Sequence, residues 1–408
     1  MATVLPFQAV RPPAKYASQV AALPYDVMTR DEGKKAVAGN PLSFLHVEKS
    51  EIDVPDGTRP DEAVIYETAK RNFMKFQEEG ILKQDSIPCY YVYRQQMGQQ
   101  IQTGIVGVMS AEEYDEGKIK KHELTRQDKE DDRIRHVGTV NAQTGPVFIS
   151  YRQRPRIGEI VEIVTSEKPE YDFTAEDGVI HTAWMMTDSE QIEELKKQFR
   201  QVEALYIADG HHRAAAAATV ARDRRREGIA QESDNILAVL FPHHQLKVMD
   251  YNRAVKDLNG LTPDQFLQKI SAQFMISKKY SQKSPEHLHD FGMYLGGIWY
   301  RLTIKDGIYD AKDPVAALDA SILQEHLLGP VLGIADPRTD DRIKFIGGIR
   351  GMGELEKLVD QDGFAVAFSL YPTTMEQIMN VADAGAIMPP KSTWFEPKLR
   401  SGLFVHAL

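Results

Sequence analysis

The chain has 408 residues and a formal net charge of −10, with 49 Lys and Arg against 59 Asp and Glu. A chain of this length buries a large core and divides into two or three parts, and its acidic balance argues against non-specific nucleic-acid binding as the main activity while leaving room for a local basic site. Cys89 is the single cysteine, which excludes an internal disulfide, a multi-cysteine zinc site and an iron–sulfur cluster, and fits a reducing cytoplasm.

The first residues, MATVLPFQAVRPPAKYASQV, hold no apolar run flanked by positive charge of the kind a signal peptide needs, and no later stretch is apolar for long enough to span a bilayer. A cytoplasmic protein without a membrane partner is expected, and a homo-oligomer is left open. Pro24 and the Asn40-Pro41 pair bracket a short helix beginning near Thr29. NPLSFLHVEKSEID then reads as a loop entering a strand, either a plain edge strand or one that turns Asn40, Ser43 and His46 toward a pocket. From Asp61 to Glu79, Ile65, Ala69, Phe73 and Phe76 recur on one helical face, with Gly80 as the C-terminal stop. The run from Cys89 to Ser110 has a polar, glycine-containing centre and reads as a hairpin.

Lys118 to Phe148 is the first stretch with chemical interest. Thr125 and Asp128 have the spacing of a helix-capping pair, and the helix is expected to run through Ile134 and Val137 and end at Gly138. His122 and Glu123 therefore lie just before a helix start. A carboxylate there serves as a general base for a hydroxyl or as a metal ligand; a plain solvated charge run is the competing reading. Asn141, Gln143 and Thr144, at the glycine-proline turn that follows, offer hydrogen bonds to a ligand. IGEIVEIV from Ile157 is ambiguous between helix and strand, GVIHTAWMMT from Gly178 reads as a strand, and SEQIEELKKQFRQV from Ser189 as an amphipathic helix.

The stretch around which the rest is organised runs from Val202 to Glu227. Leu205 to Ala208 form an apolar run suited to a covered strand, Gly210 marks a tight turn, and the alanines from Ala214 to Ala218 have the highest helix propensity of any residue. Asp209, Gly210, His211, His212 and Arg213 thus fall at a strand-to-helix junction, where unpaired backbone N–H groups and the helix dipole favour an anion. Arg213 can fork two hydrogen bonds to a phosphate, and Asp209 can orient the histidines or hold a cation. A capping Asp209 and structurally satisfied histidines are the plainer alternative.

Beyond Arg226 come an apolar strand ending at Pro242, a turn carrying His243 and His244, a helix and a hairpin between Leu261 and Leu302, an apolar helix over VAALDASILQEHLLGPVLGI, and a glycine-rich turn at FIGGIRGMGELEKLV without phosphate-loop spacing. The tail MPPKSTWFEPKLRSGLFVHAL sets Lys391, Ser392, Thr393 and Lys398 around Trp394 and Phe395, a dense set of anion-binding groups. The elements alternate as in an α/β fold with mixed sheets. Three parts are expected: residues 1–100, a core over 101–250, and 251–408.

LPYDV at Leu23, NPLSFLHVEKSEID at Asn40, KKHELT at Lys120, the DDR at Asp131, ADGHHRAAA at Ala208 and MPPKSTWFEPKLRSGL at Met388 together resemble the domain-of-unknown-function family numbered 1015. KKHELT and ADGHHR are also similar to the paired motifs of the ParB/sulfiredoxin-like superfamily and of its free L-serine kinase branch. That second resemblance implies a ParB/sulfiredoxin-like nucleotide-binding core over 101–250 with N-terminal and C-terminal additions. It implies ATP or ADP with Mg2+ as cofactors, L-serine or a similar hydroxy compound as substrate, and O-phospho-L-serine as product. Glu123 is then the general base, and Asp209 holds the magnesium or assists the base. Gly210, His211, His212, Arg213 and Thr144 bind the nucleotide, and His122, Arg133, Asn141, Lys391, Ser392 and Thr393 the substrate. A nucleotide-dependent switch of ParB type is the alternative, disfavoured by the acidic balance and the lack of a helix-turn-helix. A metal-dependent hydrolase built on Asp209, His211 and His212 comes last, because adjacent helical residues chelate one ion poorly.

Overall fold

The computed structural model describes residues 2–229 and 232–408. The chain forms two compact units, one of Met1–Leu246 with Pro397–Leu408 and one of Lys247–Glu396. Three parts were expected, and the reason for two lies in strand pairing. In the first unit β1 (Val4–Leu5) pairs antiparallel with β3 (Gln100–Ser110), which also forms the hairpin with β2 (Tyr90–Met97). A boundary at residue 100 would cut that sheet. The last residues return to the same unit through bridges from Val10 to Val405 and from Ala22 to Ser401.

The other strands of this sheet are β4 (Ile119–Lys120), β5 (Val147–Tyr151), β6 (Tyr171–Thr174), β7 (Ile180–Met186), β8 (Leu205–Asp209) and β9 (Asn235–Pro242). Their order among the described residues is β4-β8-β5-β9-β3-β2-β7-β6, with β1 added at β3. β4 with β8 and β5 with β9 are parallel and the remaining pairs antiparallel, so the expected α/β class with mixed sheets is the one observed.

The helices of this unit are α1 (Arg30–Ala36), α2 (Leu45–Glu48), α3 (Ala63–Glu78), α4 (Gln127–Val140), α5 (Pro155–Thr165), α6 (Ser189–Phe199) and α7 (His211–Arg226). α1 opens on a capping box between Thr29 and Glu32. α7 lays Ala214, Ala217, Ala218 and Ala221 into the sheet's core, where methyl side chains let backbone approach strand closely, and α4 runs beside it. Among the described residues no helix is long and apolar enough to cross a membrane.

Several local expectations change. NPLSFLHVEKSEID holds no strand: α2 and a 3-10 turn over Ser50–Asp53 replace it, and Phe44, Leu45, Val47 and Ile52 bury in one cluster without a strand partner for the segment. α5 resolves IGEIVEIV as helix, with Pro155 in the first turn and Ile157, Ile160 and Val164 inward. Gly138 does not end α4, which continues to Val140 and is closed by Asn141 in the left-handed region at φ 59°. Thr125 is not its cap either; Arg126 takes that position and the Thr125 hydroxyl donates to Glu130 at 2.8 Å.

The second unit is a six-stranded antiparallel sheet of β10 (Tyr251–Val255), β11 (Phe274–Lys278), β12 (Asp290–Leu295), β13 (Ile298–Ile304), β14 (Ile343–Gly347) and β15 (Val366–Leu370), ordered β11-β13-β12-β15-β10-β14. Phe266 and Ile270 of the helix Pro263–Ile270 enter its core beside Phe274, Phe291 and Phe368. The apolar segment expected as one helix is shorter, an α-helical Asp319–Leu323 running into a π turn over Gln324–Leu328.

Candidate functional site

β8 ends at Asp209, Gly210 turns the chain, and α7 begins at His211. Gly210 has φ 90°, and a Cβ there would sit 3.0 Å from both Nε and Nη2 of Arg213. The turn therefore requires glycine on two counts, conformation and space. No side chain caps the helix, so the first-turn N–H groups keep the partial positive charge that attracts an anion. Gly210→Ala is expected to cost about 1–3 kcal/mol, read as a lowered thermal midpoint; an unchanged midpoint would show that the turn tolerates a side chain.

Arg213 does not offer its fork to a ligand. It is buried, Nη1 donates to the carbonyl of Pro146 at 2.5 Å, and Nη2 lies 3.6 Å from Asp209 Oδ2. It ties the turn to the segment before β5 and supplies charge from beneath. The cation beside Asp209 on the other side is Lys398, with Nζ 3.5 Å from Oδ2. Burial alone would raise the Asp209 pKa; Lys398, Arg213 and His211 outweigh it and hold the carboxyl below the usual range. Asp209 is thus an ionised acceptor already matched by two cations, a poor seat for a resident magnesium ion of its own.

Opposite the turn stand His122 and Glu123. β4 pairs parallel with β8 as Ile119 with Leu205 and Lys120 with Tyr206, and the chain leaves the strand just before His122 and Glu123. The His122 ring meets that of His211 edge to face, centroids 4.6 Å apart at 89°. Glu123 Oε2 lies 3.8 Å from His211 Nδ1, with about half of its side chain exposed. His122 is 2% and His211 4% exposed. Burial pushes the His122 imidazole down to about 4 against the pull of Asp209, and burial followed by the His122 neighbour drives His211 well below its ordinary value. Both rings are neutral at physiological pH. His212 turns elsewhere: its Nε2 accepts from the backbone N–H of Arg126 at 3.0 Å, and burial lowers its pKa.

The chelating set expected for a hydrolase, Asp209 with His211 and His212, therefore does not form. Among the described residues the group with metal-binding proximity is His122, Glu123 and His211, whose donor atoms lie within 4.8 Å of one another.

The remaining predicted positions divide. Thr144 and Arg133 lie behind the turn around a buried carboxylate that sequence reasoning did not select, Glu48. The Thr144 hydroxyl donates to Glu48 Oε2, Arg133 Nη1 is 3.9 Å from Glu48 Oε1, and the Arg133 guanidinium lies 3.9 Å from the Tyr25 ring centroid while pairing with Asp132 at 2.7 Å. These contacts brace the site from within. Burial pushes the Glu48 carboxyl up, opposed by Arg133 and Thr144. Asn141 is not in the cluster: as the closing residue of α4 it donates to the Leu408 carbonyl at 2.5 Å and accepts from Arg224 at 2.6 Å. Lys391, Ser392 and Thr393 belong to the second unit. There Arg253 donates to the Lys391 carbonyl at 3.1 Å, and the Ser392 hydroxyl donates to Pro389 at 2.7 Å. Lys398, which belongs to the first unit, reaches Asp209.

A family model described as "Protein of unknown function (DUF1015)" matches residues 4–321. The chain belongs to that family. No curated protein sequence matches it. Among solved structures, a conserved hypothetical protein from Pyrococcus furiosus aligns at 12% identity and TM-score 0.35, covering 73% of this chain and 94% of that one. A free serine kinase in complex with AMP aligns at 13% identity and TM-score 0.36, covering 73% and 92%. SbnI with a C-terminal truncation, from Staphylococcus aureus, aligns at 10% identity and TM-score 0.39, covering 72% and 85%. Likeness at this level transfers no chemistry to the DUF1015 chain by itself.

Proposed function

We propose that the junction of β8 and α7 transfers a phosphoryl group from ATP or ADP to the hydroxyl of free L-serine, giving O-phospho-L-serine. The observation that carries this reading is the half-exposed carboxylate of Glu123 beside an uncapped helix N-terminus whose other flank is Lys398. Phosphoryl transfer asks the protein for a phosphate cradle, charge compensation and a group that takes the hydroxyl proton.

Each part has a candidate. The N–H groups of His211 and His212 and the ammonium of Lys398 receive the terminal phosphates, with Arg213 adding charge from below. Glu123 takes the proton as the serine oxygen forms its bond to phosphorus and the bond from phosphorus to the departing nucleotide oxygen breaks. Magnesium enters as part of the nucleotide substrate, since Asp209 is already paired with two cations. Neutral His122 and His211 place no permanent charge of their own beside Glu123. The similarity of KKHELT and ADGHHR to the serine kinase motifs supports the same choice.

Phosphorus NMR of the protein with magnesium, L-serine and either ATP or ADP tests the reading. A phosphoserine resonance that requires serine supports it and identifies the donor. Nucleotide bound without transfer would favour a regulatory switch, and no bound nucleotide would leave the turn as an anion site for another substrate. Lys398→Ala is expected to weaken nucleotide binding about tenfold or more, measured by calorimetry; an unaltered Kd would remove Lys398 from the cradle.

A further inference from the structure

Two buried imidazoles in the first unit have ring nitrogens without a well-formed hydrogen bond, although the Ile207 backbone lies near enough to His122 to favour its charged form. Neither ring nitrogen of His122 has a hydrogen-bond partner, and neither does Nε2 of His211. Buried polar atoms are seldom left unpaired, because each has given up its bond to water without a replacement. These two residues adjoin one another edge to face, with a carboxylate at 3.8 Å.

We infer that His122, His211 and Glu123 bind a divalent transition-metal ion such as Zn2+, Mn2+ or Co2+. A neutral imidazole presents one acceptor nitrogen, the form a metal takes. Two such nitrogens with one carboxylate oxygen make a donor set that suits first-row transition metals, whereas Mg2+ and Ca2+ select oxygen. Three protein donors also leave positions for water or a substrate oxygen. The donor atoms lie within 4.8 Å of one another, and coordination at ~2.0–2.2 Å would bring them to roughly 3 Å apart. Glu123 Oε2 already lies 3.8 Å from His211 Nδ1, and both rings are held by burial.

This metal is distinct from the magnesium that accompanies the nucleotide, and it takes one carboxylate oxygen of Glu123, leaving the other for the serine proton. Its part in turnover rests on the phosphotransfer reading above; its binding does not. The test therefore omits nucleotide and serine. The full chain, stripped with a chelator, is titrated with Co2+, Zn2+, Mn2+ and Mg2+ by calorimetry, with the visible spectrum recorded for Co2+. One equivalent of Co2+ is expected, with ligand-field bands, and Mg2+ should bind at least tenfold more weakly. His122→Gln, His211→Gln and Glu123→Gln should each lower Co2+ affinity at least tenfold. Glu123→Gln alters a half-exposed side chain, so its result stands even if a buried histidine variant fails to fold. Co2+ binding no tighter than Mg2+, or Co2+ affinity retained by Glu123→Gln and by whichever histidine variants fold, would overturn the site. Phosphoserine formed by protein that fails this test would leave the kinase reading standing without the transition metal. Tight Co2+ binding in a protein that makes no phosphoserine with any metal would leave the metal site and remove the kinase.

Discussion

Glu123→Gln is expected to lower the rate of phosphoserine formation by about 10²–10⁴-fold while nucleotide affinity changes little. The substitution keeps the size and one acceptor oxygen of the side chain but removes the group that receives the serine proton. About half of the side chain is exposed, so folding should not change, and circular dichroism would verify that. The informative comparison is kcat against nucleotide Kd. A general base acts in the transition state, so its loss falls on kcat and kcat/KM together. Weakened nucleotide binding with unchanged turnover of bound nucleotide would contradict the assignment and make Glu123 a binding group.

The second large effect is acid lability. His136 on α4 and His181 on β7 are 2% and 0% exposed. Burial, followed by Arg133 for the first and Arg400 for the second, pushes both imidazoles down to about 3. His136 Nε2 lies 3.0 Å from the Val47 carbonyl, and His181 Nδ1 lies 2.6 Å from the Tyr93 hydroxyl. Each is held neutral in the fold but ionises near 6.5 once unfolded. The unfolded chain then binds more protons, so stability falls as pH drops below about 6.5 and continues falling to about 3. At pH 4.5 each contributes a loss of about 2–3 kcal/mol, a substantial fraction of the ~5–15 kcal/mol that holds a domain together. Urea titrations at pH 7 and 4.5 should show the midpoint collapse, and His181→Gln, which cannot ionise, should flatten the slope. A midpoint constant over that range would mean that protons reach these rings in the folded state at little cost.

How much of this was legible in the sequence depends on how far each signal travels along the chain. The turn at Gly210 was readable because strand, glycine and alanine helix are contiguous from Leu205 to Ala218. α2 was misread as a strand because four residues, Leu45–Glu48, are too few for a period to declare itself. The meeting of His122 and Glu123 with His211 depends on β4, a two-residue parallel strand with no pattern of its own. Glu48 carried no mark of burial, since a lone glutamate next to Lys49 and two residues after His46 reads as surface; only its contacts with Arg133 and Thr144 explain its place. Thr144 reads as a ligand hydrogen-bonder and Arg133 as a substrate residue only through the resemblance, and both instead brace Glu48. Lys398 stood among equally basic neighbours, and only the chain's return to the first unit distinguishes it from Lys391.

That return sets an order on biosynthesis. The whole of Lys247–Glu396 is inserted between Leu246 and Pro397, so a ribosome must complete the inserted unit before Lys398 is made. A nascent chain that has already emerged with β8 and α7 carries Asp209 without this cation, and its anion-binding turn is incomplete until translation has passed the insertion. Premature termination anywhere in that insertion would therefore release a first unit without one of the two cations that neutralise Asp209.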